Sequence, residues 1–148
     1  MATTTSSSSM SLTVQELSQV FHDLEPIPQD DGQAAVCKIA YSANFIAAYD
    51  YLRAVWKVDE RSERSLRLSQ LCLTINPANY TVWHFRRLCL QAVSSVEKDA
   101  KDSHARIAAD LKMAQTLGGN NPKNYQLWYH RKALLEQMSA PDMLKHYL

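Results

Sequence analysis

Asn76-Pro-Ala-Asn-Tyr-Thr-Val-Trp-His-Phe-Arg-Arg-Leu-Cys-Leu90 has a second copy later in the chain, Asn121-Pro-Lys-Asn-Tyr-Gln-Leu-Trp-Tyr-His-Arg-Lys-Ala-Leu-Leu135. Seven of the fifteen positions are identical, all at an offset of 45 residues, as between Trp83 and Trp128. Self-similarity with a fixed period of about 20–50 residues is typical of helical solenoids. The two copies therefore predict a chain built from helical repeats.

Each copy carries the signals that end one helix and begin the next. Its leading Asn-Pro pair ends a helix, because the residue before a proline is pushed out of the helical region. Asn79 and Asn124 are good N-caps, since their side chains can accept hydrogen bonds from backbone N–H groups that a helix leaves unpaired. New helices are therefore predicted to begin at Tyr80 and Tyr125.

One face of each new helix carries aromatic and basic side chains at helical spacing. The two faces are Tyr80, Trp83, Arg87, Leu90 and Tyr125, Trp128, Lys132, Leu135. We expect their aromatic rings to lie in the core. The basic side chains of the two copies are expected to bind carboxylates or helix ends between repeats or across an interface: Arg86, Arg87, Arg131, Lys132.

The composition favours an all-α fold of antiparallel helical hairpins. With 46% hydrophobic and 21% charged residues the chain is ordinary for a globular protein, and 148 residues suffice for one domain. Only three glycines are present, whereas a turn-rich β fold would call for more.

Charge and cysteine usage limit the partners and the compartment. The net charge is +1 and no basic block occurs, so the sequence does not indicate nucleic acid as a partner. Three cysteines without paired spacing, two of them in apolar helical patterns, predict buried thiols and a cytoplasmic location. No apolar run is long enough for a membrane span.

Taken in order, the chain divides into a disordered tail (1–11), a leader helix and connector (12–43), and a helical repeat domain (44–148). Asn44 is predicted to cap the first helix of the repeat domain. The predicted hairpins pair residues 62–75 with 80–93, and a helix containing Ile107 and Leu117 with residues 125–138. A polar loop is predicted over 94–103. A third hairpin is predicted to begin at 139–142, and because it stops in mid-helix, we expect the chain to be incomplete.

No intrinsic active site is visible in the sequence. The five histidines lack metal-ligand spacing, and the motifs of phosphate loops and dinucleotide sites are absent. Lys123, which replaces Ala78 of the first copy, is not required by the hairpin and precedes a helix N-terminus, where an anion is favoured. Gln126 could donate to a carboxylate. Alternatively, Lys123 is a solvated loop lysine and Gln126 is an ordinary helix-surface residue.

Several motifs together resemble the protein prenyltransferase α-subunit family. They are Leu24-Glu-Pro-Ile-Pro-Gln-Asp-Asp-Gly32, Ile39-Ala-Tyr-Ser42, Tyr49-Asp-Tyr-Leu-Arg-Ala-Val55, Asp59-Glu-Arg-Ser-Glu-Arg64 and the two Asn-Tyr-x-x-Trp-x-x-Arg-Arg/Lys segments at 79–87 and 124–132. The resemblance is to the α subunit shared by protein farnesyltransferase and type I geranylgeranyltransferase. The Rab geranylgeranyltransferase α subunit fits the leader less well.

The resemblance implies a crescent of hairpins around a separate β subunit. Such a heterodimer transfers a farnesyl or geranylgeranyl group from an isoprenoid diphosphate to the cysteine of a C-terminal CaaX motif. Zinc on the β subunit and magnesium in the complex are implied, with no cofactor bound by this chain, which alone is expected to be inactive. The resemblance places the choice between the two lipids in the β subunit.

The resemblance also implies roles for individual residues. Lys123 and Tyr125 correspond to catalytic residues, and Lys123, Gln126 and Tyr80 to substrate-binding residues, with no metal ligand. Lys123 would contact the diphosphate and Gln126 the CaaX carboxylate, while Tyr125 would line the site. The 45-residue offset exceeds the family's usual spacing by about ten, which we place in the 94–103 loop. A non-catalytic helical-repeat adaptor remains the alternative function.

Overall fold

The computed structural model describes residues 11–97, 99–119 and 121–137, and these ranges contain helices and no strand. A 3-10 turn at Val14–Glu16 precedes six α-helices. They are α1 (Leu17–Val20), α2 (Ala43–Lys57), α3 (Glu63–Ile75), α4 (Tyr80–Val96), α5 (Ala100–Gly118) and α6 (Tyr125–Gln137). The predicted all-α fold is confirmed, and the hairpins α3–α4 and α5–α6 are the two repeats.

Two predicted helix bounds differ from the structure. The helical spacing of apolar residues over 12–24 predicts a leader helix of that length, but α1 ends at Val20, where the chain turns. The cap of α2 is Ser42 and not Asn44: Ser42 has an extended backbone, and its hydroxyl accepts a hydrogen bond from the backbone N–H of Phe45 at 3.2 Å. Asn44 lies inside the helix. A serine one residue before the helix is as good a cap as asparagine, so sequence alone favoured the wrong one.

The predicted loop over 94–103 is wrong, because helix occupies most of it. α4 continues to Val96, and Asp99 caps α5 by accepting a hydrogen bond from the backbone N–H of Lys101 at 2.9 Å. Arg106 donates to Glu97 at 2.7 Å and to Glu63 at 2.8 Å, which ties the connection to α3. The long repeat offset is therefore taken up by helix: α5 has 19 residues, whereas α3 has 13.

The core lies between the hairpins and against α2. It includes Phe21 from the leader, Val55 from α2, Leu68 from α3 and Phe85 from α4, each 1% exposed or less. The leader is held in place because Arg64 on α3 pairs with Asp23 and lies over the ring of Phe21. Elements far apart in sequence thus share one core.

The prediction that the repeat aromatics are core residues is correct only for Trp83, which is fully buried. Its counterpart Trp128 is 49% exposed, and Tyr80 and Tyr125 are exposed too. The second hairpin covers the first, whereas no described element covers the second on the equivalent side. Burial therefore depends on position in the stack and not on the repeat pattern.

Cys72 and Cys89 are buried, as predicted, and Cys37 is exposed. Burial raises the pKa of the Cys89 thiol to about 12 and also raises that of Cys72. Residues 1–10 of the predicted tail (1–11) and the predicted third hairpin from 139 onward lie outside the described residues. Within those residues no helix is long and apolar enough to cross a membrane.

Candidate functional site

The loops that open α4 and α6 have the same internal structure. The side-chain oxygen of Asn79 accepts hydrogen bonds from the backbone N–H groups of Thr81 and Val82, and that of Asn124 accepts from Gln126 and Leu127. The indole N–H of each repeat tryptophan donates to the carbonyl oxygen of the preceding proline, Trp83 to Pro77 at 2.8 Å and Trp128 to Pro122 at 2.9 Å. The capping prediction is confirmed in both repeats.

Asn124 also joins the two loops to each other. Its side-chain Nδ2 donates to the carbonyl oxygen of Pro77 at 2.7 Å, and the residue is 7% exposed. The same side chain therefore caps α6 and fixes that helix's start against the first repeat's loop. The starts of α4 and α6 consequently lie side by side at one edge of the hairpin stack.

The sequence-predicted site residues lie on this edge and face solvent. Tyr125 is 82% exposed and Tyr80 is 68% exposed, while Lys123 is exposed and Gln126 is partly buried. Lys123 directly precedes the Asn124 cap, and Tyr125 and Gln126 directly follow it. Tyr80 begins the neighbouring helix. The structure thus presents two tyrosine rings, an ammonium group and an amide on one accessible edge.

The charge distribution at this edge favours an anion. The backbone N–H groups contribute less to this than the position before a helix N-terminus predicted. The backbone N–H groups of Gln126 and Leu127 are already bound by Asn124 and are not free for a ligand. Attraction for an anion therefore depends on the charge of Lys123 and on the dipole of α6. Among the described residues Lys123 has no ion-pair partner, so its charge is available.

A second polar cluster, which sequence reasoning missed, is buried between the hairpins. Arg86 donates from Nε to Asp110 Oδ1 at 2.8 Å and from Nη1 to the carbonyl oxygen of Leu66 and the hydroxyl of Ser69. The other carboxylate oxygen of Asp110 lies 2.6 Å from Nε2 of His130. Arg86, Asp110 and His130 come from three helices, α4, α5 and α6.

The protonation states in this cluster follow from its neighbours. Burial would raise the pKa of Asp110, but the charge of Arg86 and the hydrogen bonds from His130 and Arg86 outweigh it, so that the pKa is lowered. Burial lowers the pKa of His130 despite its bond to Asp110. Nδ1 of His130 lies 3.4 Å from Arg87, and a guanidinium can only donate. His130 is therefore neutral, with its proton on Nε2.

This cluster joins the repeats, and its side chains are almost fully buried. Arg86 is 4%, Asp110 3% and His130 0% exposed, and the His130 ring lies 4.6 Å from the ring of Trp83. At the 45-residue offset, Asp110 and His130 replace Ser65 and Phe85 of the first copy. A comparison of positions that differ between the copies could have singled them out.

The remaining basic side chains of the repeats pack mainly against aromatic rings. The guanidinium of Arg87 lies 5.0 Å from the ring centre of Tyr129, and that of Arg131 lies 5.1 Å from the ring centre of Trp128. Lys132 forms an exposed pair with Glu136 at 3.7 Å. Carboxylate binding between the repeats, as predicted, is thus found for Arg86, whereas the carboxylate partner of Lys132 lies within the same helix. Throughout the described part of the chain no group of histidine, cysteine or carboxylate side chains could hold a metal ion.

Comparison with known families identifies the repeat. Residues 62–93 and 107–138 each match the family model of the protein prenyltransferase alpha subunit repeat. These segments cover most of the hairpins α3–α4 and α5–α6, at the same 45-residue offset as the sequence copies. The family match and the internal repeat therefore describe the same units.

Curated relatives include the protein farnesyltransferase/geranylgeranyltransferase type-1 subunit alpha of two plants. The chain is 49% identical over 71 residues to the Solanum lycopersicum protein, which is 48% of this chain and 20% of the relative. It is 47% identical over 88 residues to the Arabidopsis thaliana protein, which is 60% of this chain and 27% of the relative. The matched part is thus between a fifth and about a quarter of each relative's length.

A solved structure of Candida albicans protein geranylgeranyltransferase-I complexed with GGPP has a similar fold. It matches with a TM-score of 0.65 at 24% identity, over 79% of this chain and 36% of that chain. The similarity establishes a shared helical-hairpin architecture.

Proposed function

This chain belongs to the protein prenyltransferase alpha subunit repeat family, and we propose that it acts as the α subunit, or an N-terminal part of one, in a heterodimeric protein prenyltransferase. The reaction would transfer a farnesyl or geranylgeranyl group to the cysteine of a C-terminal CaaX motif. The observation that carries the proposal is the accessible edge where Lys123, Tyr125 and Gln126 surround the Asn124 cap.

In this proposal each residue has a chemical role. The cysteine thiolate displaces diphosphate from the isoprenoid carbon, so a carbon–sulfur bond forms as a carbon–oxygen bond breaks. Lys123 would stabilise the charge that develops on the departing diphosphate, the kind of electrostatic assistance that lowers a barrier most. Gln126 would donate to the CaaX carboxylate, and Tyr125 and Tyr80 would line the site.

The rest of the chemistry is proposed to lie on a separate β subunit. Zinc on that subunit would supply thiolate activation, with magnesium assisting in the complex. The described part of this chain brings no three histidine, cysteine or carboxylate side chains together that could hold a metal ion. The chain alone is therefore expected to be inactive. The buried, unpaired thiols Cys72 and Cys89 support a cytoplasmic location.

The second candidate is a non-catalytic adaptor that binds a protein partner. It is favoured by the exposed aromatic side chains of α6, since Trp128 and Tyr129 are 49% and 59% exposed. Exposed aromatic residues are frequent at protein interfaces. An adaptor would bind its partner without prenyl transfer.

The experiment is co-expression of the chain with a farnesyltransferase β subunit, followed by co-purification and transfer of labelled farnesyl to a CaaX peptide. The proposal expects a complex that transfers the label and loses most of its rate in Lys123→Ala. Lys101→Ala is the matched control, because Lys101 is an exposed lysine at the start of α5. The start of α5 lies at the edge opposite the start of α6, since the two helices are antiparallel.

Two results would count against the proposal. A stable complex without transfer would favour the adaptor. Unchanged transfer in Lys123→Ala would remove the assigned role of that residue.

A further inference from the structure

Two loops carry the residues of the proposed site, and one hydrogen bond joins these loops. The first loop leads into α4, which begins at Tyr80, and the second loop leads into the first turn of α6, which contains Gln126. The bond runs from Asn124 Nδ2 to the carbonyl oxygen of Pro77 at 2.7 Å, and it is called the loop link below. A CaaX peptide that meets both Tyr80 and Gln126 must span the two repeats that this bond joins.

The carbonyl oxygen of Pro77 accepts two hydrogen bonds, one from each repeat. Trp83 of the first repeat donates from its indole N–H at 2.8 Å, and Asn124 of the second repeat donates from its amide at 2.7 Å. A carbonyl oxygen has two lone pairs, so both acceptor positions of Pro77 are filled. Trp83 is fully buried and Asn124 is 7% exposed, so both donors are shielded from water.

The position of Lys123 is set within the second repeat. The backbone N–H of Asn124 donates to the carbonyl oxygen of Asn121 at 3.1 Å, which closes a turn over 121–124 around Lys123. Trp128 donates to the carbonyl oxygen of Pro122 in the same turn at 2.9 Å. Neither bond uses the side chain of Asn124. The placement of the Lys123 ammonium therefore does not depend on the loop link.

The separation of Tyr80 and Gln126 is set differently, because these residues belong to different repeats. Asn124 accepts from the backbone N–H of Gln126 at 3.1 Å through its side-chain oxygen, and it holds the first repeat's loop through its side-chain nitrogen. The ring contact of His130 with Trp83 also joins α6 to α4, but His130 lies more than a turn further along α6. The loop link therefore positions Gln126 relative to Tyr80 at the edge itself.

We propose that Asn124 is a positioning residue for the CaaX peptide. Through the loop link it holds Tyr80 of the first repeat and Gln126 of the second at the separation that one peptide spans. It acts on the peptide and not on the isoprenoid diphosphate, because Lys123 is held within its own repeat. This role rests on the proposed function, and it is added to the helix cap that the sequence predicted for Asn124.

Asn124→Ser separates the cap from the loop link. A serine hydroxyl caps a helix about as well as an asparagine side chain does. It ends one bond short of the Nδ2 atom, so it does not reach the Pro77 carbonyl oxygen while it caps α6. The backbone N–H that closes the turn around Lys123 is kept. Val55→Ala is the matched control, because Val55 is fully buried in α2 and its truncation lowers stability away from the edge.

The experiment measures steady-state constants of wild type and both variants in the complex with the farnesyltransferase β subunit, with the CaaX peptide and farnesyl diphosphate varied in turn. We expect Asn124→Ser to raise the KM for the peptide at least about five-fold, because an intramolecular hydrogen bond that orders the peptide site is lost. The KM for farnesyl diphosphate and kcat should change less than about two-fold, since the lost bond serves ground-state binding of the peptide. Val55→Ala should leave all three constants within about two-fold of wild type.

Failure of this role can be told apart from failure of the proposed function. A wild-type complex that does not transfer the label overturns the proposed function, and the positioning role with it. If the wild-type complex transfers, an unchanged peptide KM in Asn124→Ser overturns the positioning role alone. Equal changes in Asn124→Ser and Val55→Ala also overturn it, because they would reflect a general loss of stability. So does a KM for farnesyl diphosphate that rises as much as the KM for the peptide.

Discussion

Arg86 and Asp110 form a buried ion pair between the two hairpins, with Arg86 Nε 2.8 Å from Asp110 Oδ1. Their side chains are 5% and 2% exposed. Both charges lie in the interface, so Arg86 and Asp110 compensate each other's charge, and hydrogen bonds from neighbouring groups add to this. The pair fixes how α5 sits on α4.

Removal of Arg86 should therefore strongly destabilise the chain. Arg86→Ala leaves the carboxylate of Asp110 buried without its ionic partner, and breaking such a pair typically costs about 3–5 kcal/mol. Urea unfolding monitored by circular dichroism measures the loss. Arg61→Ala, which breaks an exposed pair, should cost no more than about 1 kcal/mol, and equal losses in the two variants would contradict the argument.

Stability should decrease in mildly acidic solution because of His130. Its pKa is lowered in the folded chain by burial, and the nearby guanidinium groups of Arg86 and Arg87 add to this, while Asp110 opposes it. The unfolded chain thus binds a proton at higher pH than the folded chain does. The contribution of His130 to the free energy of unfolding should be constant above about pH 6.5. It should fall as the pH drops below that value.

His130→Gln isolates this effect, because a glutamine amide can still donate to Asp110 but does not titrate. The difference in unfolding free energy between wild type and variant should shrink or reverse from pH 7.5 to about pH 5. A difference independent of pH would show that His130 is not the group responsible. The lowered pKa of Asp110 acts in a separate window, below about pH 3.8.

Asn124→Ala should cost more than the loss of an ordinary helix cap. The substitution removes the α6 cap and also the hydrogen bond to the carbonyl oxygen of Pro77. A cap is worth about 1 kcal/mol, and an intramolecular hydrogen bond adds about 1 kcal/mol. Ser42→Ala, which removes only the cap of α2, is the comparison. Similar losses for the two variants in urea unfolding would mean that the link between the loops contributes nothing.

Lys123→Ala should leave stability unchanged. The side chain is exposed and forms no ion pair with the described residues, and such substitutions usually change the free energy of unfolding by less than about 0.5 kcal/mol. Thermal unfolding of the variant beside wild type checks this. A large loss would mean that any fall in prenyl transfer reflects unfolding and not a role at the site.

The three cysteines should differ in reactivity towards a thiol reagent. Cys37 is exposed, whereas Cys72 and Cys89 are buried, and burial raises the pKa of each buried thiol. Because the thiolate is the reactive form, one thiol should react rapidly in the folded chain and all three in denaturant. Rapid reaction of two or three thiols without denaturant would contradict the placement of the core.

Much of the local structure could be read from the sequence. The Asn-Pro pairs, the Asn79 and Asn124 caps and the apolar periodicity predicted the starts of α4 and α6 and the hairpin pairing. The loop over 94–103 was missed because a polar composition does not prevent helix formation: Asp99 caps α5, and Arg106 ties the connection together.

Interactions within one or two turns of backbone specify the repeat, its helical class and the residues that open each helix, so these features could be read from the amino-acid sequence. The burial of Trp83, the exposure of Trp128 and the contacts of Asp110 with Arg86 and His130 arise only when the helices pack together. These pairings join residues 20 or more positions apart. They depend on how helices stack, and the same repeat pattern therefore has different surroundings at its two places in the chain.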